Sequence, residues 1–92
     1  MSFVKTKYMA EMDDMARIID GDQKNLIGYN LKRIRKKLKI SQQLLSNRLE
    51  LQGVYICRGS ISRIEDCSRT VTDIELFAIA TALGVDPSEL YK

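Results

Sequence analysis

Apolar residues recur every three or four positions through much of residues 26–92, the spacing that places them on one face of an α-helix. A first helix is predicted after Leu26, with a core-facing stripe made of Ile27, Leu31, Ile34 and Leu38. A second helix is predicted after Ser41, whose hydroxyl can accept a hydrogen bond from a free backbone N–H group. Its apolar positions are Leu44, Leu45, Leu49 and Leu51, and Gly53 is its expected end.

The third predicted helix has one apolar and one polar side. It begins near Cys57 or Arg58 and ends near Asp66. The residues that cluster on its apolar side are Cys57, Ile61 and Ile64. The opposite half offers small and charged side chains to solvent: Arg58, Gly59, Ser62, Arg63 and Asp66. The spacing alone does not identify what this polar side binds.

Two further helices are predicted near the carboxyl end. The sequence TDIE is a capping box, because Thr72 and Glu75 can each accept a hydrogen bond from the other's backbone. The fourth helix therefore begins there and ends at Gly84, which suits a left-handed cap. Asp86 and Pro87 start a fifth helix. No segment longer than four residues alternates as a β-strand does, so the sequence predicts an all-α domain with five helices.

The amino-terminal extension, residues 1–25, differs in charge from the domain that follows it. It carries four basic residues against five acidic ones, whereas residues 26–92 carry eleven against seven. Apolar residues at near-helical spacing predict a short helix that ends near Gly21. These residues are Met9, Met12, Met15, Ile18 and Ile19. Two interpretations stay open: the extension docks on a partner subunit, or it lies on its own domain.

The composition is that of a small folded protein. A chain of 92 residues fits one domain, and 45% hydrophobic with 29% charged residues is typical of a soluble globule. No apolar run approaches the roughly 18 residues that span a bilayer, and the first residues lack a secretion signal. We therefore expect a cytoplasmic protein without a membrane partner.

Enzymatic activity is not expected from this sequence. It contains no histidine, the commonest general base, and no nucleophile with its base, glycine-rich phosphate loop or metal cluster. Cys57 and Cys67 lie ten residues apart and are expected to be free thiols. We therefore expect no catalytic residues, no metal and no cofactor. We also expect no domain that binds a small-molecule effector, because only two residues follow the predicted fifth helix.

The run KRIRKKLK at 32–39 holds six basic residues in eight. Such a run is compatible with contact to nucleic acid, although by itself it more often marks a solvated helix face.

Four motifs make residues 26–90 resemble the helix-turn-helix regulators of the Cro and phage-repressor type, the XRE family. The motifs are, in order, IGYNLKRIRKKLKIS, SQQLLSNRL, ISRIE and IELFAIATALGVDPSEL, and the resemblance covers about seven-tenths of the chain. It implies a five-helix domain like that of lambda repressor, which places its third helix in the major groove of double-stranded DNA.

The resemblance also implies which residues contact DNA. Those that read bases are the outward residues of the third helix: Arg58, Gly59, Ser62 and Arg63. A guanidinium group can donate two hydrogen bonds to guanine, which suits Arg58 and Arg63 to this role. Those that contact phosphates lie at the start of the second helix and just after the third: Ser41, Gln42, Arg69 and Thr70.

Glu65 resembles the structural acid of this family, which pairs with an arginine of the first helix, here Arg35. Both residues flank the apolar stripes of their helices, and their positions on the helical wheels support the pairing. We therefore expect a structural ion pair, and no contact between Glu65 and DNA.

Two features depart from the family pattern. The connection between the second and third helices is longer by about five residues, with LELQGVYI in place of a shorter turn. Cys67 occupies the position of a helix-ending glycine, and Cys57 that of a Ser or Thr cap. A redox switch is one interpretation of these thiols, and buried, unreactive cysteines are the favoured one.

The leading hypothesis is a small transcriptional regulator, a repressor, that binds specific double-stranded DNA sequences as a homodimer. Its candidate dimer contacts are Phe3, Val4, Tyr8, Met9 and Met12 of the extension, and Leu90 and Tyr91 of the last helix. The alternative is a protein-interaction module, such as an antitoxin or an anti-repressor partner. An RNA-binding module is less supported, because the four Tyr and two Phe form no cluster for base stacking.

Overall fold

The computed structural model describes residues 23–92, in which four α-helices are followed by a short 3-10 helix. The elements are α1 (Gly28–Lys37), α2 (Gln42–Glu50), α3 (Arg58–Glu65), α4 (Asp73–Leu83) and the 3-10 helix (Pro87–Tyr91). No strand occurs among these residues, and the predicted all-α class is confirmed. The fifth predicted helix is present, but it is a 3-10 helix, which is wound more tightly than the expected α-helix.

The helix predicted in the extension lies outside the described residues, as do the candidate dimer contacts between residues 3 and 12. Within residues 23–92, none of the helices has both the length and the apolar character that crossing a bilayer requires.

Local side-chain chemistry determines the helix ends. At the start of α2, the Ser41 hydroxyl accepts a hydrogen bond of 2.9 Å from the Leu44 N–H. At the start of α4, the Thr72 hydroxyl accepts from the Glu75 N–H at 3.1 Å, and the Glu75 carboxylate accepts from the Thr72 N–H at 3.0 Å. Gly84 ends α4 with a φ of 72°, in the left-handed region. The caps predicted at these positions are confirmed.

The apolar sides of all five elements meet in one core. Its largest fully buried side chains are Leu31, Leu45, Leu49, Ile61, Ile64, Ile79 and Leu90. Leu38 and Leu51 were predicted to face this core, but both are exposed, because each lies past the last residue of its helix. Leu44, within α2, is also exposed. Ile40 and Ile56, from the connections between helices, add the apolar surface that these residues do not supply.

The 3-10 helix is attached to α1. The Asn30 side chain donates a hydrogen bond of 3.0 Å to the Leu90 carbonyl, and the Leu90 side chain is fully buried. The prediction of Leu90 as a dimer contact is therefore wrong, because the residue fills the core of its own domain. Tyr91 is exposed.

α1 begins against the end of α3 with no space for a side chain. A Cβ atom added to Gly28 would lie 2.1 Å from the Ile64 carbonyl oxygen, so glycine is required there. The buried Asn25 side chain accepts hydrogen bonds from the N–H groups of Ile27 and Gly28 at 3.0 and 2.8 Å. It also donates to the carbonyls of Ile64 and Arg69 at 3.0 and 2.9 Å. Asn25 thus satisfies two N–H groups at the start of α1 and fixes this helix to the end of α3.

Candidate nucleic-acid interface

α3 has a buried side and an accessible side. Ile61 and Ile64 are fully buried against the core. The four residues predicted to read bases lie on the other side, where Arg58, Gly59 and Arg63 are exposed and Ser62 is half-buried. The structure therefore brings all four onto one surface of an eight-residue helix.

Ser60 orients one of the two arginines on this surface. Arg63 Nη2 donates a hydrogen bond of 2.9 Å to Ser60 Oγ. This contact restricts the rotamers of the long side chain, which reduces the entropy lost when a ligand immobilises it. Next to it, a Cβ atom added to Gly59 would meet only Arg63 Nη1, at 3.8 Å. A ligand can therefore approach the α3 backbone closely at Gly59.

Cys57 precedes α3 in an extended conformation, and its thiol is exposed. Its Sγ lies 3.5 Å from Ser60 Oγ, in a hydrogen bond. This hydrogen bond, supported by the Ser60 backbone, lowers the pKa of the Cys57 thiol. The predicted burial is therefore wrong for Cys57, because its thiol is accessible to solvent. Cys67 is half-buried and takes a φ of 61°, the left-handed conformation expected at the position of a helix-ending glycine.

A buried ion pair lies beneath α3. Arg35 of α1 donates two hydrogen bonds to the Glu65 carboxylate, from Nε to Oε2 at 2.6 Å and from Nη2 to Oε1 at 3.1 Å. Its Nη1 also donates to the Ile40 carbonyl at 2.8 Å. The two partners expected to form a structural pair are thus in contact, and the geometry is the two-pronged one that favours arginine over lysine.

Gln42 adds a third helix to this buried cluster. Its Nε2 donates a hydrogen bond of 3.0 Å to Glu65 Oε1, so the Glu65 carboxylate links α1, the start of α2 and α3. No pattern in the sequence indicates this contact, since the two residues are 23 positions apart. The Gln42 amide therefore points toward Glu65 in the free protein. At the same helix end, Ser41 is exposed, and its hydroxyl can still donate a hydrogen bond.

The loop after α3 carries the other two residues predicted to contact phosphates. The Arg69 guanidinium donates to both Glu75 carboxylate oxygens at 3.1 Å, which lowers the pKa of Glu75. It also donates to the Thr70 carbonyl at 3.0 Å. Arg69 is therefore half-buried and paired at the start of α4, while Thr70 is exposed.

The long connection between α2 and α3 spans residues 51–57 and does not extend α2. Gly53 provides the turn with a φ of 81°. Tyr55 projects into solvent, whereas Ile56 is buried and its carbonyl accepts a hydrogen bond of 2.7 Å from the Ser46 hydroxyl. Val54 also packs against the core, and the Gln52 side chain donates a hydrogen bond of 2.9 Å to the Ala78 carbonyl of α4. Tyr55 is therefore the side chain that projects outward near the start of α3, while Ile56 holds the base of the connection.

The basic residues of the run at 32–39, which begins on α1 and ends just after it, have two roles. Arg35 is buried in the ion pair, whereas the other five basic side chains are exposed: Lys32, Arg33, Lys36, Lys37 and Lys39. The positive charge of the domain therefore lies mostly on its surface, as nucleic-acid binding requires.

Comparison with known proteins identifies relatives with the same helical arrangement. The helix-turn-helix family profile matches residues 31–90. The crystal structure of the restriction-modification controller protein C.AhdI from Aeromonas hydrophila superimposes with a TM-score of 0.61 at 28% sequence identity. The match covers 70% of this chain and 89% of C.AhdI. A search of curated proteins gave no significant match.

The family profile runs from Leu31, within α1, to Leu90, within the 3-10 helix, and so includes the whole of α2, α3 and α4. The chain therefore belongs to the helix-turn-helix family, in its Cro and phage-repressor (XRE) type of DNA-binding transcription regulators.

Proposed function

We propose that this protein is a sequence-specific repressor that inserts α3 into the major groove of double-stranded DNA. The observation that supports this most strongly is the accessible side of α3, on which Arg58 and Arg63 flank an open backbone position at Gly59. The major groove accepts an α-helix, and each guanidinium group can donate two hydrogen bonds to O6 and N7 of a guanine. Gly59 and Ser62 allow the helix to approach the base edges.

Phosphate contacts would fix the orientation of α3. We assign them to Ser41 and Gln42 at the start of α2, and to Arg69 and Thr70 after α3. The N–H groups at a helix start favour an anion, and the exposed hydroxyl groups of Ser41 and Thr70 can donate to one. Gln42 would contact a phosphate by its backbone, or by exchanging its hydrogen bond with Glu65 for one with DNA.

The buried cluster of Arg35, Glu65 and Gln42 supports this proposal by coupling the two parts of the interface. Because Glu65 accepts hydrogen bonds from both α1 and the start of α2, it sets the position of α3 relative to the proposed phosphate contacts. A small domain bound in this way at a promoter would exclude polymerase by occupying the DNA. C.AhdI, at 28% identity, is a restriction-modification controller protein, which is consistent with a regulatory role for this chain.

The protein acts as a homodimer in this proposal. One module of this size buries only about 600 to 1,000 Å² on DNA, and two modules are needed for high affinity. α4 offers a surface for the second copy, because Ile74 and Phe77 lie one turn apart and are 69% and 64% exposed. A two-fold axis would bring this apolar surface against its own copy.

The experiment begins by selecting a cognate site from a random DNA library. The variant with Arg58→Ala and Arg63→Ala is then compared with one that has Lys32→Ala and Lys36→Ala, which removes the same charge from the exposed side of α1. Loss of the α3 arginines should abolish the preference for the cognate site over a scrambled one, with no change in melting temperature. Loss of the lysines should weaken binding to both DNAs by a similar factor.

Unchanged selectivity of the α3 variant would disprove the base-reading assignment. Weak DNA binding at about 150 mM salt, together with a stable complex with another protein, would favour the interaction-module alternative. For the dimer, Phe77→Asp should dissociate the protein in sedimentation experiments, and Tyr55→Asp, at an aromatic position that is more exposed, should not.

A further inference from the structure

The chain enters the described domain beside an apolar groove of about 300 Å³. The Lys24 N–H donates a hydrogen bond of 2.8 Å to the Cys67 carbonyl, which fixes the chain at the end of α3. Lys24 and Asn25 themselves line the groove, and its opposite wall is formed by residues 71–73 and by Leu76 of α4. Whatever precedes residue 23 therefore begins at the mouth of this groove.

The groove exposes apolar surface that its own domain does not cover. Leu26 and Tyr91, which line it, are 48% and 56% exposed, and Val71 and Leu76 are half-buried. Val71 and Leu76 also pack against the core, so the groove is an accessible extension of the core surface. Covering such a surface is favourable because apolar area leaves water.

The segment that precedes the groove has a matching chemical character. Residues 11–22 contain Met12, Met15, Ile18 and Ile19, spaced three or four apart or adjacent, as on one side of a helix. The same twelve residues carry five acidic side chains and one basic one, whereas residues 23–92 carry twelve basic and seven acidic ones. Apolar burial and charge attraction therefore favour contact between this segment and its own domain.

The connectivity of the chain favours the groove over any other surface of the domain. Ile19 precedes Lys24 by five residues, a length of chain that spans at most about 18 Å. Gly21 lies between them and allows the chain to reverse direction. A segment tied so closely to its binding surface has an effective concentration in the millimolar range, which a second copy of the protein does not reach in dilute solution.

We propose that residues 11–22 cover this groove in their own chain, with their apolar side chains against Leu26, Val71, Leu76 and Tyr91. This assignment selects one of the two interpretations of the extension, contact with its own domain, and gives it a surface. It does not depend on DNA binding, and it leaves the α4 surface of Ile74 and Phe77 free for a second copy.

The test uses the full chain and the backbone amide NMR signals of the groove residues. The variant with Ile18→Asp and Ile19→Asp is compared with one that carries Ser2→Asp and Thr6→Asp, which adds the same charge elsewhere in the extension. The first variant should shift the amide signals of Leu26, Val71, Leu76 and Tyr91 and lower the melting temperature by several degrees. The second should leave both unchanged. Identical groove signals in the two variants and the wild type would overturn the proposal.

A second comparison tests contact between the two surfaces directly. In a background with Leu26→Ser and Tyr91→Ser, which removes apolar groove surface at exposed positions, the Ile18→Asp and Ile19→Asp changes should lower the melting temperature much less. Equal losses in both backgrounds would show that the surfaces do not interact. The groove signals should also be independent of protein concentration, and a dilution-dependent shift would show that the groove is covered by a second copy instead.

Discussion

Arg35 and Glu65, 30 residues apart in sequence, form a buried two-pronged ion pair that joins α1 to α3. Glu65 accepts a further hydrogen bond from Gln42, and Arg35 donates one to the Ile40 carbonyl. Burial of two charges is unfavourable unless their hydrogen bonds are satisfied, and here four such bonds satisfy them. The pair therefore holds α3 in position without leaving an unpaired charge in the core.

Replacement of Glu65 by Gln should lower the free energy of unfolding by about 1 to 3 kcal/mol, because it leaves a buried guanidinium without its counter-charge. Urea unfolding monitored by circular dichroism measures this change. Glu89→Gln is the control: Glu89 pairs with Lys92 on the surface, so its loss should change stability by less than about 0.5 kcal/mol. Equal stability of Glu65→Gln and wild type would contradict the structural role of the pair.

Gly28 and Gly59 provide a matched test of close packing. Alanine normally stabilises a helix relative to glycine by about 1 kcal/mol. At position 28, however, the new Cβ atom would lie 2.1 Å from the Ile64 carbonyl oxygen, which belongs to backbone and cannot move aside. Gly28→Ala should therefore destabilise the fold by about 2 to 3 kcal/mol.

Gly59→Ala should instead leave stability unchanged or increase it, because its Cβ atom meets only the end of the Arg63 side chain. Both variants can be compared by thermal unfolding. A stable Gly28→Ala variant would mean that α1 and α3 can separate at no cost, contrary to the observed contact.

The sequence predicted those features of the fold that depend on neighbouring residues. The capping box of Thr72 and Glu75 forms as predicted because it depends only on two residues that lie three positions apart. Leu51 was misplaced because helical spacing was extended beyond the last turn of α2. Asn25 carried a signal that was missed, since an asparagine side chain readily accepts hydrogen bonds from backbone N–H groups two or three residues later.

Contacts between residues that are distant in sequence were harder to predict. The resemblance to a known family gave the pairing of Arg35 with Glu65, but nothing in the sequence spacing indicated that Gln42 would join them. The requirement for glycine at position 28 likewise arises from the approach of a carbonyl group 36 residues later, which no local pattern specifies. The accessible side of α3 was identified because its apolar and polar positions separate on one helix.

Stability should depend on pH through Glu75. Its hydrogen bonds with Arg69 lower its pKa in the folded protein, so the carboxylate stabilises the fold when it is ionised. This contribution is fully present above the ordinary glutamate pKa of about 4.3 and is lost as the pH falls through the lowered value. At pH 7, Glu75→Gln should be less stable than wild type by about 1 kcal/mol.

At a pH well below the lowered pKa, both proteins carry a neutral side chain at position 75, and the difference should disappear. Urea unfolding of the two proteins at several pH values measures this convergence. Glutamine can still accept the hydrogen bond from the Thr72 N–H, so the comparison isolates the charge of the pair. A difference that persists unchanged at low pH would exclude the ion pair as its cause.

Cys57 should be alkylated before Cys67, because its thiol is exposed and its pKa is lowered, chiefly by the hydrogen bond with Ser60. Thiolate is the reactive form, so Ser60→Ala should shift the pH dependence of Cys57 alkylation to higher pH and slow the reaction at pH 7 several-fold. Mass spectrometry after timed treatment with iodoacetamide measures the rate at each cysteine. Ser68→Ala, a change beyond the end of α3, is the control and should leave the Cys57 alkylation rate unchanged. If Ser60→Ala reacts as fast as wild type, the hydrogen bond with Ser60 is not the cause of the lowered Cys57 pKa.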